Sequence, residues 1–156
     1  MNKYIVLAFL FVAITACDKS AKPINYGEDQ CDFCSMGIVQ KTHAAQMVTE
    51  KGKQHKFDAI ECMVNFIKDE SGKFDNATLL VANYNQPGEM IPAENASYLI
   101  SENLPSPMGA YLTAFASLSD AEAAQEKLEG KIYQWDDLEK VIKKDIHLQK
   151  ISPLLA

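Results

Sequence analysis

The sequence contains no arginine: all 15 of its basic side chains are lysines, against 21 acidic ones, for a net charge of −6. Arginine grips phosphate and carboxylate through two parallel bonds. Without it, and with lysines scattered rather than clustered, nucleic acid is excluded as a partner. The acidic balance suits a cation or a basic protein surface instead. The chain also lacks an apolar run long enough to stay in a bilayer. The run Ile5 to Ala16 has 12 residues, and a spanning helix takes about 20. Cysteine is scarce too, with four in the whole chain.

What is present begins with an address. Lys3 precedes the run Ile5–Ala16, which ends in Ile14-Thr15-Ala16-Cys17. A short apolar segment that stops at small residues is an export signal, and the cysteine beside it resembles a lipobox. Residues 1–16 are therefore expected to be a lipoprotein signal peptide, with Cys17 the acylated first residue of the mature chain. Asp18 just after it resembles an inner-membrane retention signal, which would leave the protein facing the periplasm. Residues 17–30 are polar, with a proline and a glycine, and read as a lipid-anchored tether. Residues 31–156 are one domain's worth of chain.

Within that domain, Gly37–Gln40 and Ala44–Thr49 read as short strands, Glu50–Lys53 as a turn, and Gln54–Phe57 as a third strand. Asp58 and Glu61 form the pattern of a capping box. Behind them Ile60, Met63, Val64 and Ile67 make one apolar helical face, ending near Ser71-Gly72. Thr78–Ala82 reads as a strand and Asn83–Asn95 as a connection. The second half repeats the order. Ser97–Ile100 and Ala110–Phe115 are strands, a helix capped by Ser119 and Glu122 runs to Gly130, Lys131–Gln134 is a strand, and Asp136–Lys144 is a closing helix. The expected fold is α+β, two β-β-α-β units with a closing C-terminal helix.

The chemistry lies in Cys31-Asp-Phe-Cys34-Ser-Met36. Two thiols and a thioether within six residues are soft donors, and soft donors select copper(I). Met36 can equally be a core filler, and Cys31 and Cys34 can equally form a disulfide in an oxidising compartment. Cys62 points nearly opposite the apolar face of its helix, either into a second buried face or toward a site. With Cys17 acylated, three thiols remain, an odd number in an exported chain. His43, close to the cluster in sequence, is a further candidate ligand; His55 and His147 read as solvated surface residues. Pro107-Met108-Gly109 mirrors Ser35-Met36-Gly37 ahead of a strand in the other half, which makes Met108 a candidate as well. Two rival readings use the same residues: a thiol–disulfide oxidoreductase working through Cys31 and Cys34, and a structural zinc site of Cys31, Cys34, Cys62 and a histidine.

Taken in order, the lipobox, Cys31-x-x-Cys34-x-Met36, Ala45-Gln46, Phe57-Asp58 before a helix bearing Cys62, and Pro107-Met108-Gly109 before Ala114-Phe115 resemble the NosL family, the nitrous oxide reductase accessory lipoproteins. The resemblance implies a topology similar to part of organomercurial lyase and one copper(I) held by Cys34, Met36 and a third ligand, for which Met108 and His43 are candidates. It also implies a copper chaperone rather than an enzyme. The cargo would pass to nitrous oxide reductase, whose catalytic centre is a copper–sulfide cluster, through a membrane-bound maturation transporter. Ser35 departs from the family, where glycine is usual.

Overall fold

A computed structural model describes residues 19–70, 74 and 76–142. The signal segment, Cys17, His147 and the expected helix end at Ser71-Gly72 lie outside the described residues. Among the described residues, seven strands form two antiparallel sheets, and three helices pack on them.

The first sheet has the order β2-β1-β3-β4, with β1 Ala45–Val48, β2 Gln54–Phe57, β3 Thr78–Ala82 and β4 Met90–Pro92. Strand β1 is central and buried along its whole length, as expected of a strand covered on both faces. In β2 the side chains alternate, with His55 and Phe57 inward and Gln54 and Lys56 outward, the period of two that a pleated strand imposes. The hairpin turn between them places Gly52 at φ +82°, a backbone conformation that suits glycine. The second sheet has the order β6-β5-β7, with β5 Ser97–Ile100, β6 Leu112–Phe115 and β7 Lys131–Tyr133.

Helix α1, Ile60–Asp69, packs on β1 and β2 and also touches β6 of the second sheet. Six consecutive residues, Ile60 to Asn65, are therefore buried. The N-terminal part of the helix is thus covered all round and has no solvent face to spare, which is why Cys62 is as buried as the apolar stripe on the opposite side. Helix α2, Leu118–Leu128, covers the second sheet over a small core of Leu99, Phe115 and Ala121. Helix α3, Trp135–Val141, closes against α1 and a 3-10 turn at Ala93–Asn95. The halves are also joined directly: Tyr84 N–H donates to Ala114 O at 2.9 Å.

Five local expectations are corrected. Gly37–Gln40 is no strand; Gly37 makes one isolated bridge to Gln30, because the loop before it folds back on itself. The Asp58/Glu61 capping box does not form. Ala59 is the N-cap, without a side-chain bond, and Glu61 reaches into the other half of the molecule. The second cap lies two residues earlier than expected: Ser117 Oγ accepts Asp120 N–H at 3.1 Å and donates to Asp120 Oδ2 at 2.6 Å. The connection Asn83–Asn95 hides β4, a three-residue edge strand whose Pro92 is tolerated because an edge leaves one N–H side unused. Residues 22–30, assigned to the tether, lie against the body. Gln46 Nε2 donates to Lys22 O at 2.8 Å, Lys56 Nζ donates to Pro23 O at 2.8 Å and pairs with Asp29 at 2.6 Å, and Ile24 is buried.

Candidate metal centre

The loop Cys31–Met36 is closed by its own backbone. Cys31 N–H donates to Met36 O at 2.8 Å and Ser35 N–H to Cys31 O at 2.9 Å. Ser35 takes φ +64°, the left-handed region in which a side chain costs about 1–2 kcal/mol; this is the position where glycine would be unstrained. The turn brings Cys34 N–H to 3.5 Å from Cys31 Sγ. The loop is then sewn to β2. Asp32 N–H donates to Lys56 O at 2.9 Å, and Asp32 Oδ2 accepts Lys56 N–H at 3.2 Å and sits 2.9 Å from His55 Nδ1. Strand β2 leads directly into α1, whose first turn carries Cys62.

These three attachments bring three thiols to one place. The Sγ atoms of Cys31, Cys34 and Cys62 all lie within 4.8 Å of one another. All three are free thiols; Cys31 and Cys62 are buried and Cys34 is half-exposed. A metal about 2.3 Å from each of three coplanar thiolates needs sulfur separations of about 4 Å. The cluster is close to that spacing, with a closed floor and one accessible edge.

The thiols are electrostatically unequal. The Cys62 thiol donates to Cys31 and holds the Cys31 pKa down at about 5 against burial, helped by the backbone N–H groups of Cys34, Asp58 and Phe33. Asp58 lies at the entry to α1, so a helix N-terminus faces this thiolate, and such a terminus favours negative charge. Burial raises Cys34. Cys62 is raised strongly, first because its proton is committed to Cys31 and then by burial. The surroundings thus favour the thiolate form at Cys31 and the protonated form at Cys34 and Cys62.

The other candidates fall in different surroundings. Met36 is 43% exposed, and its N–H points at Cys34 Sγ. Met108 is half-buried against the same core as Cys34 and Cys62. His43 is buried, but its Nδ1 lies 2.9 Å from Thr42 Oγ1 and its Nε2 3.2 Å from Thr113 Oγ1; both ring nitrogens are engaged. His55 is not the surface residue expected. It is buried among Phe57, Phe66 and Phe74 and anchored by Asp32, because β2 alternation turns it inward. Sequence reasoning missed Glu61, a fully buried carboxyl beside Cys62. A carboxylate within a run of buried helix positions was the available signal, and the capping-box pattern masked it.

A cluster of three free thiols, set in an α+β frame of two small sheets, has the donor set and spacing that could hold a soft metal ion. The comparison with known sequences gives the family: residues 24–142 match the NosL family model, and the chain belongs to that family. Its relatives are binding proteins and not enzymes, as the sequence resemblance implied. One is the copper-binding lipoprotein NosL of Stutzerimonas stutzeri, 24% identical over 152 residues, covering 88% of this chain and 78% of the relative. The fold matches the crystal structure of the copper chaperone NosL from Shewanella denitrificans, with a TM-score of 0.66 and 22% identity over 76% of this chain and 95% of that one.

Proposed function

We propose that this protein is a copper(I) chaperone, carrying one ion on the thiols of Cys31, Cys34 and Cys62, with the Met36 thioether at the exposed edge. The observation that carries the reading is the convergence of the three sulfur atoms within 4.8 Å. Three thiols suit a low-coordinate soft cation. A tetrahedral zinc site needs a fourth ligand, and among the described residues the group has three members, with both His43 nitrogens already engaged. The oxidoreductase alternative needs its low-pKa thiol accessible; here the low one, Cys31, is buried and the half-exposed Cys34 is raised. Met36 on the accessible side gives an acceptor's ligands a place to enter before the donor thiols let go.

In this reading the protein is exported, cleaved before Cys17 and held by lipid at the periplasmic face of the inner membrane. It hands copper through a membrane-bound maturation transporter to nitrous oxide reductase for its copper–sulfide centre, a step of denitrification. Family membership and the relatives' names support the copper part; the acceptor rests on the family resemblance.

The test is titration of the reduced protein with copper(I) against a chromogenic chelator, for the parent, Cys34→Ser and Met36→Leu. One copper(I) per chain is expected, with both variants weaker; variants that bind as tightly as the parent would refute the assignment. The affinity must also fall with pH, because protons compete for the thiols. Near pH 7 the metal displaces the protons of Cys34 and Cys62, so the logarithm of affinity falls by about two per pH unit. Below the Cys31 value of about 5 a third proton joins and the slope steepens by about one. A pH-independent affinity would exclude thiolate ligation.

A further inference from the structure

Neither the thiols nor the apolar core accounts for Glu61. Its side chain is fully buried in the first turn of α1, next to Cys62. A buried carboxyl costs free energy unless hydrogen bonds offset it. Besides its own backbone N–H, its partners lie off its helix. Ser106 Oγ donates to Glu61 Oε1, Ala110 N–H approaches the same oxygen at 3.4 Å, and Met108 N–H faces the carboxyl group. All three belong to the loop that leads into β6, 45 residues or more along the chain.

At its far end the loop is tied to the second sheet, where Ser101 N–H donates to Tyr111 O at 3.1 Å. Up to that point Gly109 at φ +78° and Tyr111 at φ +58° keep it irregular. Its internal bonds are Gly109 N–H to Ser106 O at 3.1 Å and a long one, Leu112 N–H to Ser106 Oγ at 3.4 Å. It carries Met108, whose side chain packs on the core that Cys34 and Cys62 share. The second oxygen, Glu61 Oε2, is buried without a partner. A half-satisfied buried carboxyl is a poor stabilising device compared with an apolar residue of the same size. Its value lies in where it holds the loop.

We propose that Glu61 and Ser106 are positioning residues for the metal centre. Their hydrogen bond ties the Met108 loop to the helix turn that carries Cys62, and so sets Met108 as one wall of the thiol cluster. The inference rests on the copper(I) reading above. It goes beyond it in assigning a role to two residues that hold no metal and in coupling the two halves of the molecule at the site.

The experiment uses the full chain, reduced, in detergent, with copper(I) partitioned against a chromogenic chelator. The variants are Ser106→Ala, Glu61→Gln, Met108→Leu and the Ser106→Ala/Met108→Leu double, and circular dichroism checks that each is folded. Ser106→Ala should weaken copper(I) binding about tenfold, as loss of an outer-sphere partner does. Glu61→Gln should retain parental affinity, since the amide oxygen still accepts from Ser106. The double variant should be no weaker than Met108→Leu alone, and amide exchange at Met108 and Ala110 should quicken in metal-free Ser106→Ala. Unchanged affinity and exchange in Ser106→Ala, or a tenfold loss that persists in the Met108→Leu background, would overturn the assignment while leaving the chaperone reading intact. A parent chain that takes no copper(I) would overturn both, and shows it before any variant is compared.

Discussion

Cys31→Ser will lower copper(I) affinity by more than about a hundredfold, beyond the range that outer-sphere partners command. Cys31 is the thiol that the fold has prepared. It is buried, it accepts a hydrogen bond from the Cys62 thiol, and three backbone N–H groups face it. A hydroxyl in its place has no comparable anion to offer and is a hard donor where the ion prefers soft ones. The metal-free variant should still fold, because the loop is closed by backbone bonds from Cys31 N–H and to Cys31 O, which serine keeps. Chelator competition reads the affinity, and X-ray absorption should count one sulfur fewer around the metal. Met36→Leu is the graded comparison: a thioether on an exposed edge contributes less, and about a tenfold loss is expected for a peripheral partner. Equal binding by Cys31→Ser and the parent would remove the buried thiolate from the site.

Phe57→Ala will destabilise the fold by about 3–5 kcal/mol, the usual cost of emptying a buried phenylalanine site. Phe57 is fully buried at the end of β2, with its ring centroid 5.3 Å from Phe66 and 6.5 Å from His55. It pairs across the sheet with Ala45, which is too small to fill the void. Against a total stability of about 5–15 kcal/mol, that loss leaves a marginal protein. Urea unfolding followed by circular dichroism measures it as a lower midpoint at unchanged slope. Phe57 also precedes Asp58, whose N–H faces Cys31. Copper(I) should therefore raise the midpoint of the variant, since a ligand that binds only the folded state stabilises it by mass action. A loss below about 1 kcal/mol would mean the aromatic cluster relaxes into the space.

The elements that the sequence revealed are those with strong local periodicity. Thr78–Ala82 and Ser97–Ile100 were legible to the residue because each is an apolar run between polar breaks. The apolar stripe of α1 was legible because 3.6-residue spacing needs no partner to be seen. The failures share a cause. Glu61 and Asp58 match a capping box within four residues, but the carboxyl of Glu61 found Ser106, 45 residues away. His55 sits among lysines in the sequence and among phenylalanines in space. The edge strand β4 exists because β3 offers it a ladder, not because Met90–Pro92 has any strong preference of its own.

By itself the sequence determined the choice of donors: thiols and a thioether concentrated at Cys31–Met36, in a chain without arginine, are a matter of which atoms are present. Only the tertiary structure decided which of those donors meet. Cys62 joins Cys31 and Cys34 because β2 is hydrogen-bonded to the loop on one side and runs into α1 on the other. His43 stands apart because Thr42 and Thr113 occupy its nitrogens. Residue type is encoded locally, whereas convergence depends on long-range backbone pairing, and no short window of sequence contains both partners of such a pair.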